Sequence, residues 1–197
     1  MNIYATLGIV AGALTIIEYV YYGWTIVKGE TKPSRATWFI WAALTILIAF
    51  SYDAAGGEET VWVPYAAAIG TFLIAILSVR YGVGGWQPID KVAIVIAFLC
   101  LPLWFLAGPA WVLLVTLVVD VAGIVPTLYK TYQHPTQESG IAWGMNLVGS
   151  FLNIAALGAI ATWSFSEALY PFYMLLINGA VFFLIVRRDV LPTRLRF

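Results

Sequence analysis

The sequence is poor in charge, in histidine and in cysteine. Of its 197 residues only 10% are charged, while 62% are hydrophobic. A soluble domain carries about 25% charged residues. So few charges could not cover a water-facing surface, and the surrounding solvent is read as mostly lipid. The single cysteine, Cys100, excludes an intrachain disulfide. The single histidine, His134, falls in an expected loop. Zinc sites need several His or Cys ligands close together, so no metal site is expected. Neither a Ser/His/Asp nor a Cys/His set can be assembled, so no catalytic residue, enzyme activity or cofactor is expected. A net charge of zero gives no sign of a nucleic-acid partner. No lysine lies deep in an apolar run, which excludes a retinal Schiff base. The N-terminus lacks a basic stretch and a small-residue cleavage site, and is read as a first helix, not a signal peptide.

What the chain has is long apolar runs. A helix needs about 20 apolar residues to cross the hydrocarbon. Seven segments qualify, at roughly 3–27, 36–52, 61–80, 91–107, 109–130, 141–163 and 166–187. The boundary between segments four and five rests on Ala107-Gly108-Pro109 alone. The basic residues divide cleanly. Lys28, Lys32, Arg35, Arg80, Lys91, Lys130, Arg187, Arg188, Arg194 and Arg196 all fall in or beside the first, third and fifth links and the tail. The other links carry Asp53, Glu58, Glu59 and Glu167. The positive-inside rule then puts the C-terminus in the cytoplasm and the N-terminus outside, which needs an odd number of spans. The protein is expected in the plasma (inner) membrane of a prokaryote. Tryptophans near the segment ends form an expected aromatic belt.

The chain also repeats itself. A shift of 102 residues lays Glu18 on Asp120, Thr25 on Thr127, Lys28 on Lys130, Pro33 on Pro135 and Trp41 on Trp143. With a small extra gap, Pro64 falls on Pro171, Arg80 on Arg187 and Thr71 on Asn178. Three helices per half is an odd number, so a helix between them is needed to keep both halves the same way up. The expected organisation is a three-helix repeat at 1–82, a linker helix at 83–108, a second repeat at 109–190 and a basic tail at 191–197. The fold class expected is all-α, with seven transmembrane helices. Parallel repeats of this kind are a transporter architecture with the substrate path between the halves.

Several polar residues stand out inside the apolar runs. Glu18 and Asp120 lie about 15 and 10 residues into their segments, deep in the hydrocarbon at 1.5 Å per residue. A charged carboxylate there costs several kcal/mol, so such groups face a protein interior and are candidates for function. Desolvation favours the neutral form, which suits proton coupling; binding a cationic solute group is the other functional reading. The structural alternative is a hydrogen bond to a tyrosine or the backbone. In segment six, Asn146, Ser150 and Asn153 share one face. Trp41 and Trp143 could stack on a ring or an apolar group, or belong to the aromatic belt. Gly8 and Gly12 form a GxxxG pair, which suits close packing inside the bundle.

The 3+1+3 plan resembles the PQ-loop superfamily, which includes the SWEET sugar transporters. In IVPTLYKTYQHPTQESGIAW a helical proline, Pro126, is followed by Tyr129 and then by a polar loop that leads into the next helix. The resemblance implies a small-solute transporter working by alternating access, for a sugar, an amino acid or a vitamin. It implies a hinge at Pro126 and substrate binding at Asn178 with Thr71, Asn146, Asn153, Trp41 and Trp143. Two alternatives share the architecture: a receptor or binding module like the KDEL receptor, and a PnuC-like vitamin carrier. The expected partners are the solute, the lipid bilayer and, optionally, further copies of the chain.

Overall fold

The computed structural model describes residues 2–33, 35–83, 95, 99, 102–158 and 164–190. Among these the chain is helical, without strands. The main helices are α1 (Ile3–Val27), α2 (Arg35–Ala54), α3 (Trp62–Tyr81), α4 (Pro109–Gln133), α5 (Gly140–Ala156) and α6 (Phe165–Val190). Four stretches are long and apolar enough to cross a membrane: Ile3–Val27, Thr37–Ala54, Trp62–Tyr81 and Phe165–Arg187. Large side chains that face away from the bundle are apolar, among them Val20, Phe72, Val118, Leu176 and Phe183. A surface of that kind suits an acyl-chain solvent. Of expected segment four, 91–107, most lies outside the described residues; Val95, Leu99 and 102–107 are seen as helix.

The helix ends follow from local chemistry. Asn2 caps α1, its Oδ1 accepting from the Ala5 N–H at 2.7 Å. At the other end Gly29 adopts φ +77°, its N–H donates to the Ile26 carbonyl and the Glu30 N–H donates to the Thr25 carbonyl. That pair of bonds is a Schellman ending, which needs a left-handed residue best supplied by glycine. Ser139 caps α5. Segment six, expected at 141–163, leaves the helix after Ala156, because Gly158 turns the backbone at φ +76°. Pro171 stands inside α6 and has no N–H to give to the carbonyl of Glu167. The Tyr52 hydroxyl of α2 donates to that carbonyl instead, at 2.7 Å.

Contacts set the relative directions of the helices. On α1 and α3 the paired positions advance together: Gly8 lies against Glu59 and Trp62, and Gly23 against Ile74 and Leu77. These two helices are parallel. A Cβ at Gly8 would sit 1.8 Å from the Glu59 carbonyl oxygen, so glycine allows the close approach, and the Gly8/Gly12 pair is used inside the bundle. α2 runs against α3, with Thr45 at Thr71 and Arg35 at Ser78 and Gly82. α2 also runs against α4, with Trp41 at Gly123 and Tyr52 clustered with Leu113. α4 and α6 are parallel, joined by Asp120–Tyr173 and Tyr132–Arg187. α5 runs against α6, with Gly140 at Ile185 and Asn146 at Asn178, and against α1, with Gly149 near Ala11 and Gly158 near Tyr4.

The helices therefore close a circuit in the order α1, α3, α2, α4, α6, α5 and back to α1. In each triplet the third helix in sequence lies between the other two, and α1, α3, α4 and α6 share one direction. One end of the circuit gathers Asp53, Glu58, Glu59 and Glu167. The other gathers Lys28, Lys32, Arg35, Arg80 and Arg187, together with Glu30 and Glu138.

Candidate functional site

A cavity lies on the axis of this circuit and takes side chains from all six helices. It leaves about 110 Å³ for the centres of water-sized spheres. At roughly 10–15 Å³ of that measure per water, this is space for several waters or one small solute. Its lining reaches the basic end through Pro33, Thr37 and Glu138. Toward the acidic end it stops at an apolar plug of Ala11, Ile48, Tyr52, Val63, Leu113, Leu117 and Tyr170. The rings of Tyr52 and Tyr170 are 5.3 Å apart there.

Most of the residues singled out by sequence meet in this cavity. Glu18, Asp120, Trp41, Trp143, Thr71, Asn146 and Asn178 all line it. Six of them arrive as three pairs, Glu18 with Asp120, Trp41 with Trp143 and Thr71 with Asn178, on helices that occupy equivalent places in the circuit; Asn146 has Leu44 as its counterpart, which does not line the cavity. Asn153 is fully buried but does not line the cavity. It stands two turns beyond Asn146, about 10 Å further toward the plugged end. Its amide atoms have no hydrogen-bond partner among the described residues, and neither does the hydroxyl of Ser51, its counterpart in the other half. Pro126 lies within α4, and its side chain is outside the described set.

The third helix of each half is tied to the second by polar groups at the cavity wall. In the first half the Thr71 and Thr45 hydroxyls are 2.7 Å apart. In the second, the Asn178 amide donates to Asn146 Oδ1 at 2.8 Å and to Ser150 Oγ at 2.9 Å. Both Asn178 amide protons thus serve the helix–helix contact.

The acids and tryptophans differ between the halves. Asp120 accepts a hydrogen bond from the Tyr173 hydroxyl. Glu18 is 6% exposed, and its Oε2 has no hydrogen-bond partner among the described residues. The Trp143 indole donates to Glu138 Oε2 at 3.1 Å. The Trp41 indole N–H is buried without a partner among the described residues. Aromatic rings form much of the remaining wall: Trp38 packs edge-on against Trp41 at 5.2 Å and against Tyr19 at 6.3 Å.

Sequence reasoning missed Trp38, Thr45, Tyr170, Tyr173 and Glu138 as lining residues. A face reading would have found most of them. Trp38 and Thr45 stand three before and four after Trp41, while Tyr170 and Met174 stand eight and four before Asn178. Among the described residues no group of His, Cys, Asp or Glu is placed to hold a metal ion. No family model, curated protein or solved structure matches the chain.

Proposed function

We propose that the protein is a small-solute carrier of the membrane, built as two parallel three-helix repeats joined by a linker helix, as in the PQ-loop and SWEET families. The observation that carries this reading is a central cavity lined at equivalent positions by both halves. The layout is supported by direction: α3 and α4 run the same way, so the residues between Tyr81 and Pro109 have to return the chain from one end of the bundle to the other. The apolar run 91–107 has the length and composition for that crossing. With the basic end in the cytoplasm, the cavity opens inward and the Tyr52–Tyr170 plug closes it outward.

Transport in this scheme is a rocking of one half against the other. The plugged end is joined across the halves by few polar bonds, Tyr52 to the Glu167 carbonyl and Ser166 to the Ala55 carbonyl. Breaking them and forming a matching closure near Pro33 and Glu138 exchanges one opening for the other. Such a pair of states differing by a few kcal/mol would both be populated. Asp120, central and reachable from the cavity, is the proton-coupling group.

The test is uptake of candidate solutes into proteoliposomes at two pH values. Asp120→Asn should remove the pH dependence of uptake, and unchanged pH dependence would remove the coupling role. Solute binding with no flux would turn the reading toward a receptor.

A further inference from the structure

We propose that the cavity selects a small monovalent organic cation with a flat or apolar body, held by Glu18 and stacked beside Trp41. This rests on the carrier reading only for the cavity's place on a solute path; the binding chemistry stands by itself. Among the described residues three carboxylates line the cavity, Glu18, Asp120 and Glu138, and no lysine or arginine does. Acidic character alone would not define a ligand. The second observation is that these carboxylates are not equivalent. Asp120 has the Tyr173 hydroxyl, and Glu138 has the Trp143 indole. Glu18 is buried, lines the same cavity, and its Oε2 has no partner among the described residues. A buried oxygen of this kind calls for a donor, and the ligand is the donor that remains.

The repeat explains why only Glu18 is left open. The shift that pairs Pro64 with Pro171 puts Ala66 opposite Tyr173, and the shift that pairs Pro33 with Pro135 puts Ala36 opposite Glu138. The first half has alanine at both places where the second half has a group that engages its acid or its tryptophan. The wall beside Glu18 is aromatic, from Tyr19, Tyr22, Trp38 and Trp41. Rings of this kind hold a cation by their negative faces, most strongly when water is excluded. A neutral polyol would bring no charge to set against the Glu18 carboxylate, and an anion would meet like charge from Glu18, Asp120 and Glu138.

The experiment uses the purified full-length protein and an isosteric series: phenethylammonium, 2-phenylethanol and phenylacetate, with glucose as a polar control. Tryptophan fluorescence reads binding. Phenethylammonium should bind saturably, about tenfold or more tighter than 2-phenylethanol, with no binding of phenylacetate or glucose. Glu18→Gln should lose about tenfold of the phenethylammonium affinity, while Glu58→Gln, at an exposed carboxylate outside the cavity, should change it by less than about threefold. Equal binding of 2-phenylethanol, binding of phenylacetate, or an unchanged Glu18→Gln affinity would overturn the proposal. If Glu18→Gln does not fold, the ligand series on the unaltered protein still decides. Phenethylammonium bound but not carried into proteoliposomes would keep this site and overturn the carrier reading. Glucose uptake without phenethylammonium binding would do the reverse.

Discussion

The two halves place the same kinds of residue at the same positions and then treat them differently. In the second half, Asp120 and Trp143 are both engaged by side chains of their own half, Tyr173 and Glu138. In the first, Glu18 Oε2 and the Trp41 indole N–H are buried without partners among the described residues. The packing differs as well. α1 meets α3 through Gly8 and Gly12, whose counterparts in α4 are Ala110 and Leu114. Equivalent places in the circuit therefore set where a side chain arrives, and single residues elsewhere decide whether it is held by a neighbour. The first half combines the tightest backbone approach with unmet polar groups at the cavity; in the second, the acid and tryptophan of the cavity are held, and the unmet group, Asn153, lies outside the cavity lining.

The most severe way to break this comparison is to remove the close approach. Gly8→Leu would drive side-chain atoms into the Glu59 carbonyl, since even a Cβ there lies 1.8 Å from the oxygen. Backbone on the far side cannot move aside as a flexible side chain would. The expected cost is at the upper end of overpacking, about 3 kcal/mol or more, seen as loss of a monodisperse peak and a large drop in thermal unfolding temperature. Ala110→Leu, at the equivalent place in α4, is half of the test: Ala110 is exposed, so the change should cost less than about 0.5 kcal/mol. Equal damage from the two would mean that the halves pack alike.

The next step is to make the second half resemble the first. Tyr173→Phe removes the hydroxyl that serves Asp120 and leaves a half-buried carboxylate oxygen unmet. A cost of about 1–3 kcal/mol is expected, read as a lower unfolding temperature in detergent. Because a phenethylammonium ion could then serve Asp120 as well as Glu18, added ligand should restore more stability to Tyr173→Phe than to the unaltered protein. A variant that loses stability but gains nothing from the ligand would separate the two acids and leave Glu18 as the only binding carboxylate.

Much of this arrangement was legible in the sequence, for a physical reason. Apolar runs of membrane length, and acids placed in the middle of them, are one-dimensional signals that survive without knowledge of packing. Equivalent positions in a repeat are also readable, and they bring Glu18 and Asp120, or Trp41 and Trp143, to one cavity. What could not be read was engagement. That Asp120 is held depends on Tyr173, 53 residues away, and on α4 and α6 being parallel neighbours. The early end of α5 was hidden for a different reason: 141–163 reads as one apolar run, and the left-handed turn at Gly158 is set by its surroundings near Tyr4. Asn153 shares a face with Asn146, yet the plug of Tyr52 and Tyr170 stops the cavity before reaching it. Periodicity gives the face of a helix and says nothing about how far along it the cavity extends.

The mildest test concerns the polar ties between second and third helices. Thr71 and Asn178 are equivalent, and each joins its neighbour at the cavity wall. Thr71 does so through one side-chain bond, to Thr45, while its hydroxyl also turns back to the Ala67 carbonyl of its own helix. Asn178 makes two, to Asn146 and Ser150. An interhelical hydrogen bond within a membrane bundle contributes about 0.6 kcal/mol on average. Thr71→Val should therefore cost about 0.6 kcal/mol, with the Thr45 hydroxyl still able to bond the Trp41 carbonyl. Asn178→Leu should cost about twice that, roughly 1.2 kcal/mol, and double-mutant cycles with Asn146→Leu and Ser150→Ala should each return about half of it. If Asn178→Leu instead left stability untouched while phenethylammonium affinity fell, the amide would be serving the solute and not the helices. The second half would then share the open character of the first.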